Sequence, residues 1–124
     1  MITEDYVSFE SAKLLKEKGY WNIATMLYKE NGDIVNYNVP LNNKGFSSTL
    51  DVFYEAPTLQ MAMKWLREIH QLHIGILVAY NYFPRRYRYH IMHTENIETY
   101  SQNDFDTYEQ ACEAAIKYCL ENLI

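Results

Sequence analysis

Apolar residues recur at helical spacing in three stretches of the 124-residue chain and alternate with polar ones in the segments between. Phe9, Ala12 and Leu15 share one helical face and Lys13 and Lys16 the other, which predicts a first helix over Phe9–Lys18. Ser8 is placed to accept from the first-turn amides, Glu10 favours the positive end of the helix dipole, and Gly19 supplies a left-handed stop. A second helix is expected after Pro57 with Thr58 as its cap. Leu59, Ala62, Leu66 and Ile69 form its apolar stripe, widened by Met63. A third begins at Thr107, where Thr107 and Gln110 have the spacing of a capping box. Ala111, Cys112, Ala115, Ile116, Cys119, Leu120 and Leu123 make its buried side, and Glu109, Glu113 and Glu121 point outward.

Two hairpins fill the gaps. Asn31-Gly32 is the preferred pair for a two-residue type I′ turn. That turn sets Tyr28 against Val35, Met26 against Tyr37 and Ala24 against Val39, with these six on the core face and Thr25, Lys29, Asn36 and Asn38 in water. The second hairpin covers residues 72–94. Ile74, Ile76, Val78, Tyr80 and Tyr82 alternate onto one face, matched by Tyr87, Tyr89 and Ile91 on the return strand. Pro84 with Arg85 and Arg86 marks its turn, and Arg88, His90 and Met92 occupy the opposite face. Residues 42–48 read as loop, Asp51–Tyr54 as a short edge strand, and Asn96–Asp106 as an acidic, polar loop.

The order α-β-β-α-β-β-α predicts a single α+β domain: one antiparallel sheet of four to five strands packed with three helices. No linker divides it. Hydrophobic residues make up 48% and charged residues 22%, a globular balance.

Charge adds a second pattern. The formal net charge of −5 disfavours non-specific binding to nucleic acid or anionic membrane. Yet residues 61–93 hold 5 basic and 1 acidic side chains, and residues 94–124 hold 1 basic and 7 acidic. All four histidines lie in the basic segment. Its densest part, Arg85, Arg86, Arg88 and His90, is interleaved with Tyr80, Tyr82, Phe83, Tyr87 and Tyr89. Guanidinium forks bind phosphate or carboxylate, and aromatic faces stack bases, so this ribbon is the candidate site for a polyanion or a protein partner.

Other chemistry is sparse. His70/His73 and His90/His93 have His-x-x-His spacing, but zinc needs three or four converging ligands, so no metal and no cofactor are expected. Cys112 and Cys119 lie seven apart in the third helix, about 10 Å along its axis, too far to bridge each other there. Two buried, reduced thiols suit a cytoplasmic location. There is no Gly-x-Ser-x-Gly elbow and no glycine-rich phosphate loop. The pairs Glu95/Glu98 and Asp104/Asp106 read as solvated loop acids. The opening Met1-Ile2-Thr3-Glu4-Asp5 lacks the basic start and apolar run of a secretory signal. The longest apolar run, Ile74–Tyr80, is far short of the roughly 20 residues that span a bilayer, so no membrane is expected.

Three stretches carry a resemblance: Phe9-Glu-Ser-Ala-Lys-Leu-Leu-Lys-Glu-Lys-Gly19, Ala56-Pro-Thr-Leu-Gln-Met-Ala-Met-Lys-Trp-Leu-Arg-Glu-Ile-His70 and Thr107-Tyr-Glu-Gln-Ala-Cys-Glu-Ala-Ala-Ile-Lys-Tyr-Cys-Leu-Glu-Asn-Leu123. Together they resemble a family of short uncharacterised proteins from gut anaerobes and their prophages. The resemblance covers the helices only and carries no known activity. It implies a cytoplasmic accessory protein of mobile-element origin. The expected function is therefore non-enzymatic binding, by protein–protein contact or self-association. Polyanion binding through the Arg85–His90 ribbon is the alternative, and an enzyme of unknown class is a further one.

Overall fold

The computed structural model describes residues 1–22, 26–36, 52–79, 86–95 and 99–124. Three helices form where periodicity places them. Helix α1 runs Phe9–Glu17, α2 Leu59–His70 and α3 Tyr108–Tyr118, capped by Ser8, Thr58 and Thr107, whose hydroxyls accept from Ser11, Met61 and Gln110 amides. The cap matters because the first amides of a helix have no partner within it. Gly19, at φ +91, ends α1, and the Tyr20 amide reaches back to the Leu15 carbonyl. Helix α3 widens into a π-helical turn at Cys119–Leu123, which keeps Cys119 and Leu120 buried. Ile69 departs from expectation and is exposed at the last turn of α2.

The sheet is divided. Instead of one sheet of four to five strands there are two antiparallel sheets of three strands, ordered β2-β1-β3 and β4-β5-β6. The strands are β1 Met26–Lys29, β2 Ile34–Asn36, β3 Phe53–Glu55, β4 Leu72–Ala79, β5 Arg86–His93 and β6 Thr99–Phe105. Both edges of β1 are taken by β2 and β3, and both edges of β5 by β4 and β6. The two hairpins thus belong to separate sheets, each with its own third strand. β3 overlaps the expected edge strand Asp51–Tyr54 at Phe53 and Tyr54 and extends to Glu55.

The first hairpin is shifted by one residue. Tyr28 pairs with Ile34, Leu27 with Val35 and Met26 with Asn36. The turn is not type I′, because Asn31 is absent from the positive-φ residues while Gly32 has φ +95. Gly32 donates to the Lys29 carbonyl and Lys29 to the Asp33 carbonyl, so Glu30, Asn31 and Gly32 form a three-residue loop with a glycine bulge. Asn31 reinforces it by accepting the Asp33 amide at 3.0 Å. The shift moves Val35 onto the Leu27 face. Leu27 is fully buried, while Tyr28 packs on Phe9 and donates to the Val7 carbonyl at 2.6 Å. Ala24, Thr25, Tyr37, Asn38 and Val39 lie outside the described residues.

Residues 99–105 form strand β6, which corrects the expectation of a loop from Asn96 to Asp106. The polar run Ser101-Gln102-Asn103-Asp104 hides the alternation, and a bulge breaks it between the partners of Tyr87 and Tyr89. Asp104 sits there at φ +83. Tyr100 and Phe105 still reach the inner layer and pack against the core.

The core lies between the large sheet and the helices. On α3, Ala111, Cys112, Ala115, Ile116, Cys119 and Leu120 are all fully buried, against Tyr89 and Ile91 of β5 and residues of α1 and α2. Glu113, expected outward, instead accepts the Ser8 amide and the Ser11 hydroxyl, the latter at 2.8 Å, tying α3 to the start of α1. Its carboxylate sits at the positive end of that helix. Leu27→Ala should lower unfolding free energy by about 2–5 kcal/mol in urea titrations, as for other buried leucines. A loss below about 0.5 kcal/mol would contradict the observed register.

Candidate functional site

Alternation in the second hairpin sorts the candidate residues by face. Ile74 pairs with Ile91, Ile76 with Tyr89 and Val78 with Tyr87 on the inner face, as expected. His73, Gly75 and Leu77 face outward opposite Met92, His90 and Arg88. The tyrosines thus separate from the arginines. Tyr89 stacks on Phe105 at 5.8 Å and meets Tyr118 at 6.3 Å, and Tyr87 meets Tyr108 edge-on at 6.5 Å. Among the described residues, arginine and aromatic side chains therefore do not interleave on one surface, as a base-stacking ribbon requires.

The basic residues divide further. Arg86 is half-exposed and held by Asp104 and Asp106, with Nε 3.7 Å from Asp104 and an Nη against Asp106. These acids come from the segment that the sequence assigned to a solvated loop. Arg88 is exposed and has no carboxylate within salt-bridge distance among the described residues. His90 is half-buried beside it on the outer face. Arg85, Tyr80, Tyr82, Phe83, Pro84, Glu98 and the loop at 42–48 lie outside the described residues.

The outer face is mixed rather than basic. Leu77 is 45% exposed and Met92 51% exposed, on adjacent strands and flanking Arg88 and His90. His73 Nε2 lies 2.9 Å from the Thr94 hydroxyl, and His93 Nδ1 accepts the Glu95 amide. His90 and His93 point to opposite faces, as their odd separation requires. No group of three or more metal-ligating side chains converges among the described residues.

Elsewhere, a shallow groove of about 690 Å³ follows α1, lined by Glu10, Lys13, Lys16, Glu17, Lys117 and Glu121. Its charges offset one another: Lys117 holds Glu10 at 2.7 Å and keeps that carboxyl below its usual range. The Cys112 thiol is pushed up to about 11 and that of Cys119 to about 12 by burial, which leaves both poor nucleophiles. No helix among the described residues is long and apolar enough to cross a membrane. No family model, curated protein or solved structure matches the chain.

His70 is another titratable group whose local chemistry the sequence does not reveal. Its ring lies 4.7 Å from that of Trp65, which in turn meets Tyr20 at 5.4 Å. Its Nε2 is closed off from solvent without a partner among the described residues. Burial lowers its pKa from 6.5, because the charged imidazolium is the form that loses hydration. A depressed histidine stabilises the fold above its unfolded value and loses that contribution as protons bind. Stability should therefore fall as pH drops below 6.5 and on through the lowered value. In His70→Phe, melting temperatures should decline less over the same range. Equal declines in both proteins would contradict this role.

Proposed function

We propose that the protein is a small non-enzymatic binding protein that docks a protein partner on the outer face of the β4-β5-β6 sheet. The observation that carries this reading is exposed Leu77 opposite Arg88, with exposed Met92 four residues further along β5 on the same face. Exposed apolar side chains around a guanidinium with no carboxylate partner among the described residues describe apolar contacts and one charge-assisted hydrogen bond. The fitting partner presents apolar side chains to Leu77 and Met92 and a carboxylate to Arg88. A cytoplasmic location and a mobile-element origin remain part of the proposal, supported by the free, buried cysteines and by the helical resemblance.

A polyanion site has narrower support. Arg86 already has two carboxylates, and Tyr87 and Tyr89 belong to the inner layer. Of the ribbon's described arginines, Arg88 alone has no carboxylate partner among the described residues.

Affinity capture from the native host separates the readings. Wild type should retain a protein partner after nuclease treatment. Arg88→Ala and Met92→Glu should each lose it while keeping the wild-type circular dichroism spectrum. Capture abolished by nuclease would favour the polyanion reading, and capture unaffected by both variants would remove the outer face from consideration.

A further inference from the structure

Among the described residues the large sheet has two edges, β4 and β6, and they are built differently. β6 carries a bulge at Asp104, with Asp106 just beyond the strand. Bulges and charges are the usual means by which an edge strand avoids pairing with another chain. The smaller sheet is protected in other ways. β2 and β3 have three residues each, and Lys16 covers β3 by donating to the Phe53 carbonyl at 3.2 Å. β4 has none of these devices. It runs eight residues, Leu-His-Ile-Gly-Ile-Leu-Val-Ala, without proline, bulge, Asp, Glu, Lys or Arg.

Its unpaired backbone groups can be assigned. The Thr94 amide donates to the Gln71 carbonyl, and continuing that register makes His73, Gly75, Leu77 and Ala79 the residues hydrogen-bonded to β5. The amides and carbonyls of Ile74, Ile76 and Val78 then point away from the sheet. None of them has a backbone partner among the described residues. Their side chains are half-buried, whereas Tyr89 and Ile91 on the neighbouring strand are fully covered. The inner layer is thus incompletely covered along this edge among the described residues.

We infer that β4 pairs antiparallel with β4 of a second copy, about a two-fold axis at Ile76, to make a continuous six-stranded sheet. Charge and shape both select a second copy. The chain as a whole carries −5, but β4 holds only His73 as a titratable group, so two copies meet there without like-charge repulsion. With Ile76 opposite its own equivalent, Ile74 meets Val78 of the partner copy on the inner face. On the outer face Leu77 meets Gly75 of the partner copy. Gly75 leaves room for it, since a Cβ there would approach nothing nearer than the His90 carbonyl at 4.0 Å. His73 likewise meets Ala79. Each bulky outer residue thus faces a small one, and every outward amide and carbonyl of Ile74, Ile76 and Val78 gains a partner.

This pairing uses the sheet edge and does not depend on the outer-face reading above. Sedimentation velocity on the purified full chain tests it without any other partner present. Wild type should approach twice its 14.8 kDa mass as concentration rises. The amides of Ile74, Ile76 and Val78 should gain protection from hydrogen exchange over the same range, while those of Gly75 and Leu77 stay protected throughout. Gly75→Val, which fits the free chain but fills the slot for Leu77, should raise the dissociation constant by about tenfold or more. Leu77→Lys provides a second test by placing a charge on the edge, should the valine variant fold poorly. Met92→Glu, on the face and away from the edge, should leave dimerisation unchanged. A monomer at every concentration would overturn the inference. So would a dimer that both edge variants leave intact, or one that Met92→Glu disrupts equally.

Discussion

Close packing of α3 against the inner face of the large sheet is the constraint on which the remaining structure depends. Its buried residues recur as adjacent pairs one turn apart: Ala111 and Cys112, Ala115 and Ile116, Cys119 and Leu120. In each pair a small side chain lies beside a bulkier or comparable one. The small members let the helix axis approach, and Ile116 and Leu120 fill the space between. Burying each of these two contributes roughly 1.5–3 kcal/mol relative to exposure. The same helix reaches α1 through Glu113 and α2 through Tyr108, whose hydroxyl accepts from Gln60 at 3.1 Å. One element thus positions both other helices.

That arrangement has a consequence for function. All three helices pack around the inner layer, so the outer face of β4-β5-β6 remains uncovered by described elements, and β4 remains an edge. The features of interest are the ordinary faces of a sheet covered on one side. What distinguishes them is their content. Leu77 and Met92 occupy positions where polar residues normally face water, and β4 lacks the charges that protect other edges. If both surfaces act together, edge pairing would place two copies of the outer face side by side. A partner could then be held at two points, with the gain in affinity that linked contacts give.

Helices were legible in the sequence because caps and apolar spacing agreed. Ser8, Thr58 and Thr107 each fall where their hydroxyls accept an amide. The second hairpin was legible because eight residues alternate cleanly on each strand. The first was not, since Asn31-Gly32 serves both a two-residue turn and a three-residue loop with a bulge. Only packing chooses between them, by burying Leu27. β6 was hidden for a related reason: its polar residues face water, and the bulge at Asp104 interrupts its period. Within the candidate site, the run Arg85–His90 looked like one basic ribbon. The pleat sends its tyrosines inward, and the unseen strand β6 brings Asp104 beside Arg86. Glu113 shows the same limit, because its partners on Ser8 and Ser11 are more than a hundred residues away.

Ala115 lies at the centre of this packing, so its replacement by leucine tests the arrangement most directly. Three extra side-chain heavy atoms cannot be accommodated where a methyl group is already fully buried. Equilibrium unfolding of Ala115→Leu should show a loss of about 1–3 kcal/mol, with tyrosine fluorescence and far-ultraviolet dichroism lost in one transition. Wild-type stability in that variant, or separate transitions for the two signals, would show that α3 does not hold the sheet and helices together.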